Sequence, residues 1–246
     1  MIKHIELENH EGKTLRGYLH LPTNFNGTIV VFYHGFTGNK TEHGGHFRDF
    51  SRLLEKGGSG SLRMDFSGNG ESDGSFNDFT MDTMVKEAEL LIDYALKVEG
   101  LKSLVLLGFS MGGALAAYIA GKREADIDKL ILWSPAKDIL NMIKTRYEHA
   151  DKLPNGDADF GNYPLSLKMY KSTDNYDFLE GVNNFKKNVL IIHGRKDLAV
   201  NVEAAFVYEK LYKNAKVHII ESAGHGYDKR IEKEELLNES YKFVRG

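Results

Sequence analysis

Short apolar runs alternate along this chain with segments of helical periodicity. Five runs are apolar at nearly every position, a pattern typical of strands that are covered on both faces of a sheet. They occupy residues 28–33, 103–107, 129–133, 189–192 and 217–220. Apolar residues spaced three and four apart predict helices over residues 47–54, 81–98, 111–119 and 202–211. This alternation predicts an α/β fold with a mostly parallel, doubly wound sheet.

The first two strands have a different pattern from the five apolar runs. Residues 2–7 and 15–21 alternate apolar and polar positions, as strands do when only one face is covered. Because short turns join antiparallel neighbours, we expect these two strands to form an antiparallel edge at the N-terminal end of the sheet.

Residues 135–185 interrupt the alternation of strands and helices. The segment has no run typical of a buried strand, yet it contains several aromatic residues among many polar ones. They are Tyr147, Phe160, Tyr163, Tyr170, Tyr176 and Phe178. A structureless loop of this length is unusual in a compact domain, so we expect some secondary structure within it. We interpret residues 135–185 as an inserted cap, or lid, on a core formed by residues 1–134 and 186–246.

The composition is that of a soluble globular protein. Of the 246 residues, 41% are hydrophobic and 27% are charged, and the length suits one domain with a large core. The formal net charge of -3 argues against nucleic acid as a partner, because proteins that bind phosphate backbones usually carry a basic face. The absence of cysteine excludes disulfides and thiolate nucleophiles.

The N-terminal segment has no pattern typical of a targeting signal. Charged residues interrupt residues 1–14 where a signal peptide would need an apolar core, and no later apolar run approaches the length of a membrane span. We therefore expect a cytoplasmic protein that has no membrane partner.

A glycine-flanked serine follows the apolar run at residues 103–107. Gly108, Ser110 and Gly112 form a G-x-S-x-G pattern between that strand and the helix predicted from Met111. In this context small residues permit a sharp turn that exposes the serine hydroxyl, and the helix N-terminus supplies unpaired N–H donors. The pattern predicts Ser110 as a catalytic nucleophile, and the alternative is a serine that only caps a helix.

A serine hydroxyl needs a base to take its proton and an acid to orient that base. Among the ten histidines, His225 lies between two glycines just after the last apolar run, and Asp197 follows the run at residues 189–192. Both loops follow strand ends, where ligands bind in open α/β sheets. The order Ser110, Asp197, His225 predicts a catalytic triad. The alternative is a turn aspartate and a surface histidine.

Two backbone N–H groups are candidates for stabilising an oxyanion. One belongs to Met111, the residue after the nucleophile, and the other to Phe36 in the loop after residues 28–33. We expect His34, in the same loop, to brace it by a hydrogen bond. Such a mechanism requires neither a metal nor an organic cofactor.

Five segments carry a resemblance to a known family. They are HGFTGNKTEHG from His34, RMDFSGNGESDGS from Arg63, GFSMGG from Gly108, HGRKD from His193 and SAGHGY from Ser222. Together they resemble the α/β-hydrolase superfamily and, within it, the small bacterial carboxylesterases that include cinnamoyl (feruloyl) esterases. The resemblance implies an α/β-hydrolase fold and a serine esterase.

The resemblance has further implications for substrate and assembly. It implies that the cap forms one wall of the acyl pocket and that Asp138 at its start binds the phenolic hydroxyl of an aromatic acid. The alternative for Asp138 is an acid that favours a helix N-terminus. The resemblance is compatible with a homodimer, for which the residues carry no signature. It also implies a strand near Leu62, which the glycine-rich residues 57–60 predict to be short or loose.

The sequence thus predicts a serine carboxylic ester hydrolase that forms an acyl-enzyme on cinnamoyl or short-chain acyl esters. A monoacylglycerol lipase and an oligopeptidase-like serine hydrolase are the alternatives within this chemistry. A metal site at His43 and His46, with Glu42 beside them, would be a different enzyme class. A non-enzymatic binding protein of the same fold would be favoured by a missing triad member, and all three members are present.

Overall fold

One mixed sheet organises the molecule. The computed structural model describes residues 1–161 and 163–246, and within them eight strands run in the order β1-β2-β4-β3-β5-β6-β7-β8. The strands are β1 Ile2–Glu8, β2 Thr14–His20, β3 Thr28–Tyr33, β4 Gly60–Met64, β5 Ser103–Phe109, β6 Lys129–Trp133, β7 Asn188–Gly194 and β8 Ala215–Ile220. Strands β4 to β8 and β3 pair in parallel, whereas β2 pairs antiparallel with β1 and with β4. The predicted α/β-hydrolase fold with an antiparallel N-terminal edge is confirmed.

Helices cover both faces of this sheet. They are α1 His46–Lys56, α2 Met81–Ala95, α3 Met111–Lys122, α4 Ile139–His149, α5 Leu167–Ser172, α6 Glu203–Leu211 and α7 Arg230–Arg245. Helices α1 and α7 share one buried cluster with Trp133, while α2, α3 and α6 contribute to the other. No helix in residues 1–161 and 163–246 has both the length and the apolar character needed to cross a membrane.

The side chains of the central strand β3 face two separate cores, which explains why its sequence is apolar throughout. Ile29, Val31 and Tyr33 belong to the core on the α2 and α3 side, whereas Val30 and Phe32 belong to the core under α1 and α7. Successive side chains of a strand point to opposite faces, so a strand with two covered faces needs an unbroken apolar run.

Strand β4 is short, as expected, but it is not loose. Its five residues are all buried, and it pairs with β2 on one side and β3 on the other. A Cβ atom on Gly60 would lie 2.9 Å from Leu21 Cδ2 and 3.0 Å from the His20 carbonyl oxygen. The glycine therefore reflects close packing between strands rather than a weak strand.

The segment predicted as a cap contains regular structure. It includes α4, α5 and two single-turn 3-10 helices, Thr173–Asn175 and Val182–Asn184. Its residue 162 lies outside the described residues. Buried side chains of the segment, among them Ile143, Met169 and Phe178, join the core on the α2 and α3 side. Its division from residues 1–134 and 186–246 as a separate cap stays a prediction.

Candidate active site

Ser110 occupies a sharp turn between β5 and α3. Its backbone has φ 54° and ψ -116°, a conformation that non-glycine residues rarely adopt. A Cβ atom on Gly108 would lie 1.9 Å from the Gly112 carbonyl oxygen, and one on Gly112 would lie 2.1 Å from that of Tyr33. Any side chain at either position would collide with backbone. The two glycines are therefore what lets the chain turn tightly enough to present Ser110.

Loops at the ends of three strands bring Ser110, His225 and Asp197 together. His225 Nε2 lies 3.0 Å from Ser110 Oγ, and His225 Nδ1 lies 2.7 Å from Asp197 Oδ2. The histidine ring packs against Phe109, with 5.0 Å between ring centroids. This places a potential base within hydrogen-bonding distance of a potential nucleophile, with a carboxylate on the far side of the ring.

Asp197 is held by more donors than His225 alone. The N–H groups of Ala199 and Val200 donate to Oδ1 at 2.9 and 2.8 Å, and the carboxylate is buried. Burial acts to raise the pKa of Asp197, but hydrogen bonds from His193, His225 and Val200 outweigh it and leave the pKa well below its usual range. Asp197 is thus anionic at neutral pH. His193 is a contact that sequence reasoning missed, although its spacing of four residues from Asp197 was visible in HGRKD.

The loop after β3 lies against the nucleophile. A Cβ atom on Gly35 would be 3.4 Å from Ser110 Cβ. His34 is buried, its Nε2 accepts the Phe66 N–H at 3.1 Å, and its Nδ1 lies 2.9 Å from the Gly35 carbonyl oxygen. Because Nε2 accepts, Nδ1 carries the hydrogen and donates to that carbonyl. His34 therefore braces this loop, as expected.

The two candidate oxyanion donors adjoin Ser110. Phe36 lines the same cavity as Ser110, and Met111 is the first residue of α3. In the described part of the chain, neither N–H group has a hydrogen-bond acceptor. Both donors are therefore available to a substrate oxygen, and their role stays a prediction.

Glu42 supports the same loop, which the sequence did not indicate. Its carboxylate accepts the Gly35 N–H at 2.8 Å through Oε2 and the His43 N–H at 3.0 Å through Oε1. Its backbone has φ 61° and ψ 166°, a region occupied almost only by glycine. A strained residue whose carboxylate binds the loop beside Phe36 is well placed to fix that loop.

The residues considered for a metal site have other partners. His43 Nε2 lies 2.6 Å from Asp228 Oδ1, and His46 Nε2 lies 2.7 Å from the Gly226 carbonyl oxygen. Across residues 1–161 and 163–246, no three or more His, Cys, Asp or Glu side chains are grouped so that they could hold a metal ion.

One cavity contains the nucleophile, and a second lies nearby. One, of about 480 Å³, contains Ser110, His225 and Phe36, with Asn39 and Asp228 among its other walls. The second, of about 340 Å³, lies between the start of α4 and the loop after Asp197. Ala136 lines the second cavity and donates its N–H to the Ser110 carbonyl oxygen at 3.0 Å, so a wall of this cavity contacts the backbone of the nucleophile.

Asp138 lines the second cavity and not the one that contains Ser110. It stands at the N-terminal boundary of α4, where an acid favours the helix dipole. Its side chain is exposed and forms an ion pair with Lys137. Both sequence interpretations of Asp138, phenol recognition and helix stabilisation, suit this position.

Comparisons with known sequences agree with this geometry. A family model described as serine aminopeptidase, S33, matches residues 26–155, which include the loop after β3 and the Ser110 turn. The AB hydrolase superfamily protein YisY of Bacillus subtilis is 28% identical over 240 residues, covering 81% of this chain and 85% of that protein. The mitochondrial palmitoyl-protein thioesterase ABHD10 of Bos taurus is 26% identical, over 68% of this chain and 56% of its own length.

Solved structures of the same fold cover nearly the whole chain. Est1E from Butyrivibrio proteoclasticus, with ferulic acid bound, has a TM-score of 0.84 and 27% identity, over 98% of this chain and 100% of that one. Alpha/beta hydrolase domain-containing protein 10 from mouse has a TM-score of 0.79 and 18% identity, over 99% and 98% of the two chains. The second likeness concerns the fold alone.

Proposed function

Because this chain belongs to the serine aminopeptidase S33 family of α/β-hydrolases, we propose that it is a serine carboxylic ester hydrolase. The proposal rests above all on one observation, the hydrogen-bonded series from Ser110 Oγ through His225 to Asp197 Oδ2. In that series Ser110 is the nucleophile, His225 the general base and Asp197 the acid that orients the imidazole.

The reaction proceeds in two halves. Ser110 Oγ attacks the ester carbonyl while His225 Nε2 takes its proton, and the N–H groups of Phe36 and Met111 hold the oxyanion. The tetrahedral intermediate collapses as the alcohol leaves with the proton from His225, and the acyl group stays on Ser110. Water then attacks the acyl-enzyme with His225 again as base, which releases the acid and restores the serine.

Ester cleavage suits the cavity better than cleavage at a peptide N-terminus. An aminopeptidase needs a free carboxylate to bind the substrate ammonium group. Of the two carboxylates that line the Ser110 cavity, Glu42 accepts two loop N–H groups, whereas the exposed Asp228 contacts only His43 through one oxygen. Glu42 is thus occupied, and an oligopeptidase-like activity would depend on Asp228 alone to bind the amine.

The second cavity is the proposed acyl pocket. Ile139, Met142, Ala199 and Val200 give it apolar walls, and Asp138 supplies one of its two carboxylates, the other being that of Glu203. An aromatic acid with a phenolic hydroxyl matches such a pocket, since its ring contacts apolar side chains and its hydroxyl donates to the acid. The likeness to Est1E with ferulic acid supports this substrate class. Short-chain acyl esters and monoacylglycerols are the alternatives.

A matched pair of substrates and of variants tests the proposal. We expect Ser110→Ala to lower kcat by several orders of magnitude on both methyl ferulate and p-nitrophenyl butyrate. Asp138→Ala should lower kcat/KM for methyl ferulate about tenfold while butyrate hydrolysis stays unchanged, because one hydrogen bond is lost. Asp174→Ala is the control, since Asp174 is as exposed as Asp138 and likewise forms an ion pair with a lysine.

The outcomes separate mechanism from substrate. Near-normal turnover in Ser110→Ala would contradict the serine mechanism. If the wild type hydrolyses p-nitrophenyl butyrate but not methyl ferulate, and Asp138→Ala does not change that rate, the protein is a general short-chain esterase. A cytoplasmic location and a homodimer stay predictions from the sequence.

A further inference from the structure

A second histidine contacts the carboxylate that orients His225. His193 lies near the end of β7, and its side chain is fully buried. Its Nε2 is 3.2 Å from Asp197 Oδ2, the same oxygen that His225 Nδ1 approaches to 2.7 Å. One carboxylate oxygen thus faces two imidazole rings, of which the triad uses only one.

The second neighbour of His193 Nε2 fixes its protonation. This nitrogen lies 2.9 Å from the carbonyl oxygen of Val200, which can only accept a hydrogen bond. Nε2 therefore carries a hydrogen, which it donates to Val200 O while lying 3.2 Å from Asp197 Oδ2. His193 Nδ1 is buried and has no hydrogen-bond partner among residues 1–161 and 163–246. A proton on that nitrogen would be buried without an acceptor, so the environment favours the neutral ring.

We propose that His193 is a positioning residue that, as a neutral imidazole, holds the Asp197 carboxylate toward His225. The inference rests on the proposed function, in which His225 is the base. The N–H groups of Ala199 and Val200 hold Oδ1, and His193 Nε2–H lies 3.2 Å from Oδ2, so contacts on both oxygens restrain the carboxylate as His225 gains a proton. Because His193 shares the charge on Oδ2, it also limits how strongly Asp197 stabilises the imidazolium of His225.

Other titratable groups also lie around this cluster: His46 Nε2 contacts the Gly226 carbonyl oxygen, and Asp228 contacts His43. Burial lowers the pKa of His46. Tyr227 packs behind the cluster, and its hydroxyl contacts Ser134 Oγ at 2.7 Å and donates to the Ile192 carbonyl oxygen at 3.1 Å. Burial raises the pKa of Tyr227 further above its usual range. On the neighbouring strand β8 the register partner of His193 is the apolar Ile219.

Two substitutions of His193, which place an amide nitrogen at different ring positions, test the inference. In His193→Gln the amide nitrogen can occupy the position of Nε2, which keeps the donor to Asp197. In His193→Asn it reaches only the position of Nδ1, where no acceptor lies. We expect kcat/KM on p-nitrophenyl butyrate to stay within about threefold of wild type in the first variant. The second should lose about 10- to 100-fold, mostly in kcat, the range found when a hydrogen-bond partner of a metal-binding side chain is removed.

The pH profile provides a readout that a purely structural role would not move. Without the His193 donor, Asp197 stabilises the imidazolium more strongly, so the acid limb of kcat/KM should shift to higher pH in His193→Asn and stay in place in His193→Gln. Equal losses in both variants, or an unshifted limb in both, would overturn the inference.

Two measurements on the wild-type protein keep the test decisive if a variant fails to fold. Proton–nitrogen correlation spectra report the tautomer of His193, and a hydrogen on Nδ1 in place of Nε2 would overturn the inference. Labelling by a fluorophosphonate reports the reactivity of Ser110. Failure of the wild-type protein to label would reject the proposed function, whereas normal labelling together with a hydrogen on His193 Nδ1 would reject only the role of His193.

Discussion

The nucleophile and two residues near it have strained backbone conformations. Ser110, Glu42 and Tyr227 have φ angles of 54°, 61° and 49°, and such conformations cost on the order of 1–3 kcal/mol each unless surrounding contacts hold them. The turn at Ser110 could be predicted, because glycines at fixed positions around a serine indicate it. The strain at Glu42 could not, because nothing about a glutamate in sequence signals a conformation that glycine prefers.

The Ser110 turn leads to a prediction about two glycines. Gly112→Ala would place a Cβ atom 2.1 Å from the Tyr33 carbonyl oxygen, whereas in Gly224→Ala the nearest atom, the Lys196 carbonyl oxygen, would be 3.7 Å away. We expect the first change to lower the free energy of unfolding by about 3 kcal/mol and to abolish esterase activity. The second, although next to His225, should leave both nearly unchanged. Urea unfolding and kcat/KM for the two variants measure these effects. A mild effect of Gly112→Ala would contradict the prediction.

Some helices and strands could be predicted from the sequence, and others could not. Strands β3 and β6 match the predicted residues 28–33 and 129–133, because burial on both faces imposes apolar side chains throughout. Helix α7 was not predicted, since charged residues dominate it and its buried stripe is narrow. Only tertiary contacts reveal its role: Trp133 of β6 donates its Nε1–H to Ser240 Oγ of α7 at 2.9 Å.

This anchor between β6 and α7 can be tested with two buried serines. Ser240 donates to the Leu236 carbonyl oxygen and also accepts from Trp133, whereas Ser51 of α1 donates to the Phe47 carbonyl oxygen and accepts from no partner in the described residues. Ser240→Ala leaves the indole N–H buried without an acceptor, which should cost about 1–3 kcal/mol of unfolding free energy. Ser51→Ala should cost less than about 1 kcal/mol. Equal losses in urea titrations would refute the anchor.

At the scale of the whole molecule, the parallel sheet assembles the site. The loops after β3, β5, β7 and β8 carry Phe36, Ser110, Asp197 and His225, and adjacent parallel strands bring these loops to one edge. Sequence order and strand positions were therefore enough to nominate these residues. The shared contact of His193 and the separation of Asp138 into its own cavity depend on side-chain packing, which no local pattern encodes.

A contact between helices α1 and α7 makes the free energy of unfolding depend on pH in the acid range. Lys233 of α7 donates to Asp49 Oδ2 of α1 at 2.6 Å. Burial acts to raise the pKa of Asp49, but hydrogen bonds from Arg48 and Lys233 lower it to about 2. A carboxyl whose pKa is lower folded than unfolded contributes stability above its unfolded value, near 3.9, and that contribution is lost as the pH falls through about 2.

The difference in unfolding free energy between wild type and Asp49→Asn should therefore depend on pH. Since the group is partly exposed, we expect the wild type to be more stable by about 1–2 kcal/mol at pH 6, and the gap to close toward pH 2. The lowered pKa of Asp197 and the raised pKa of buried Glu87 contribute equally to both proteins, so they cancel in the difference. Urea unfolding across this range measures the gap. A difference that stays constant with pH would mean that Asp49 acts through packing and not through its charge, because only the charge titrates.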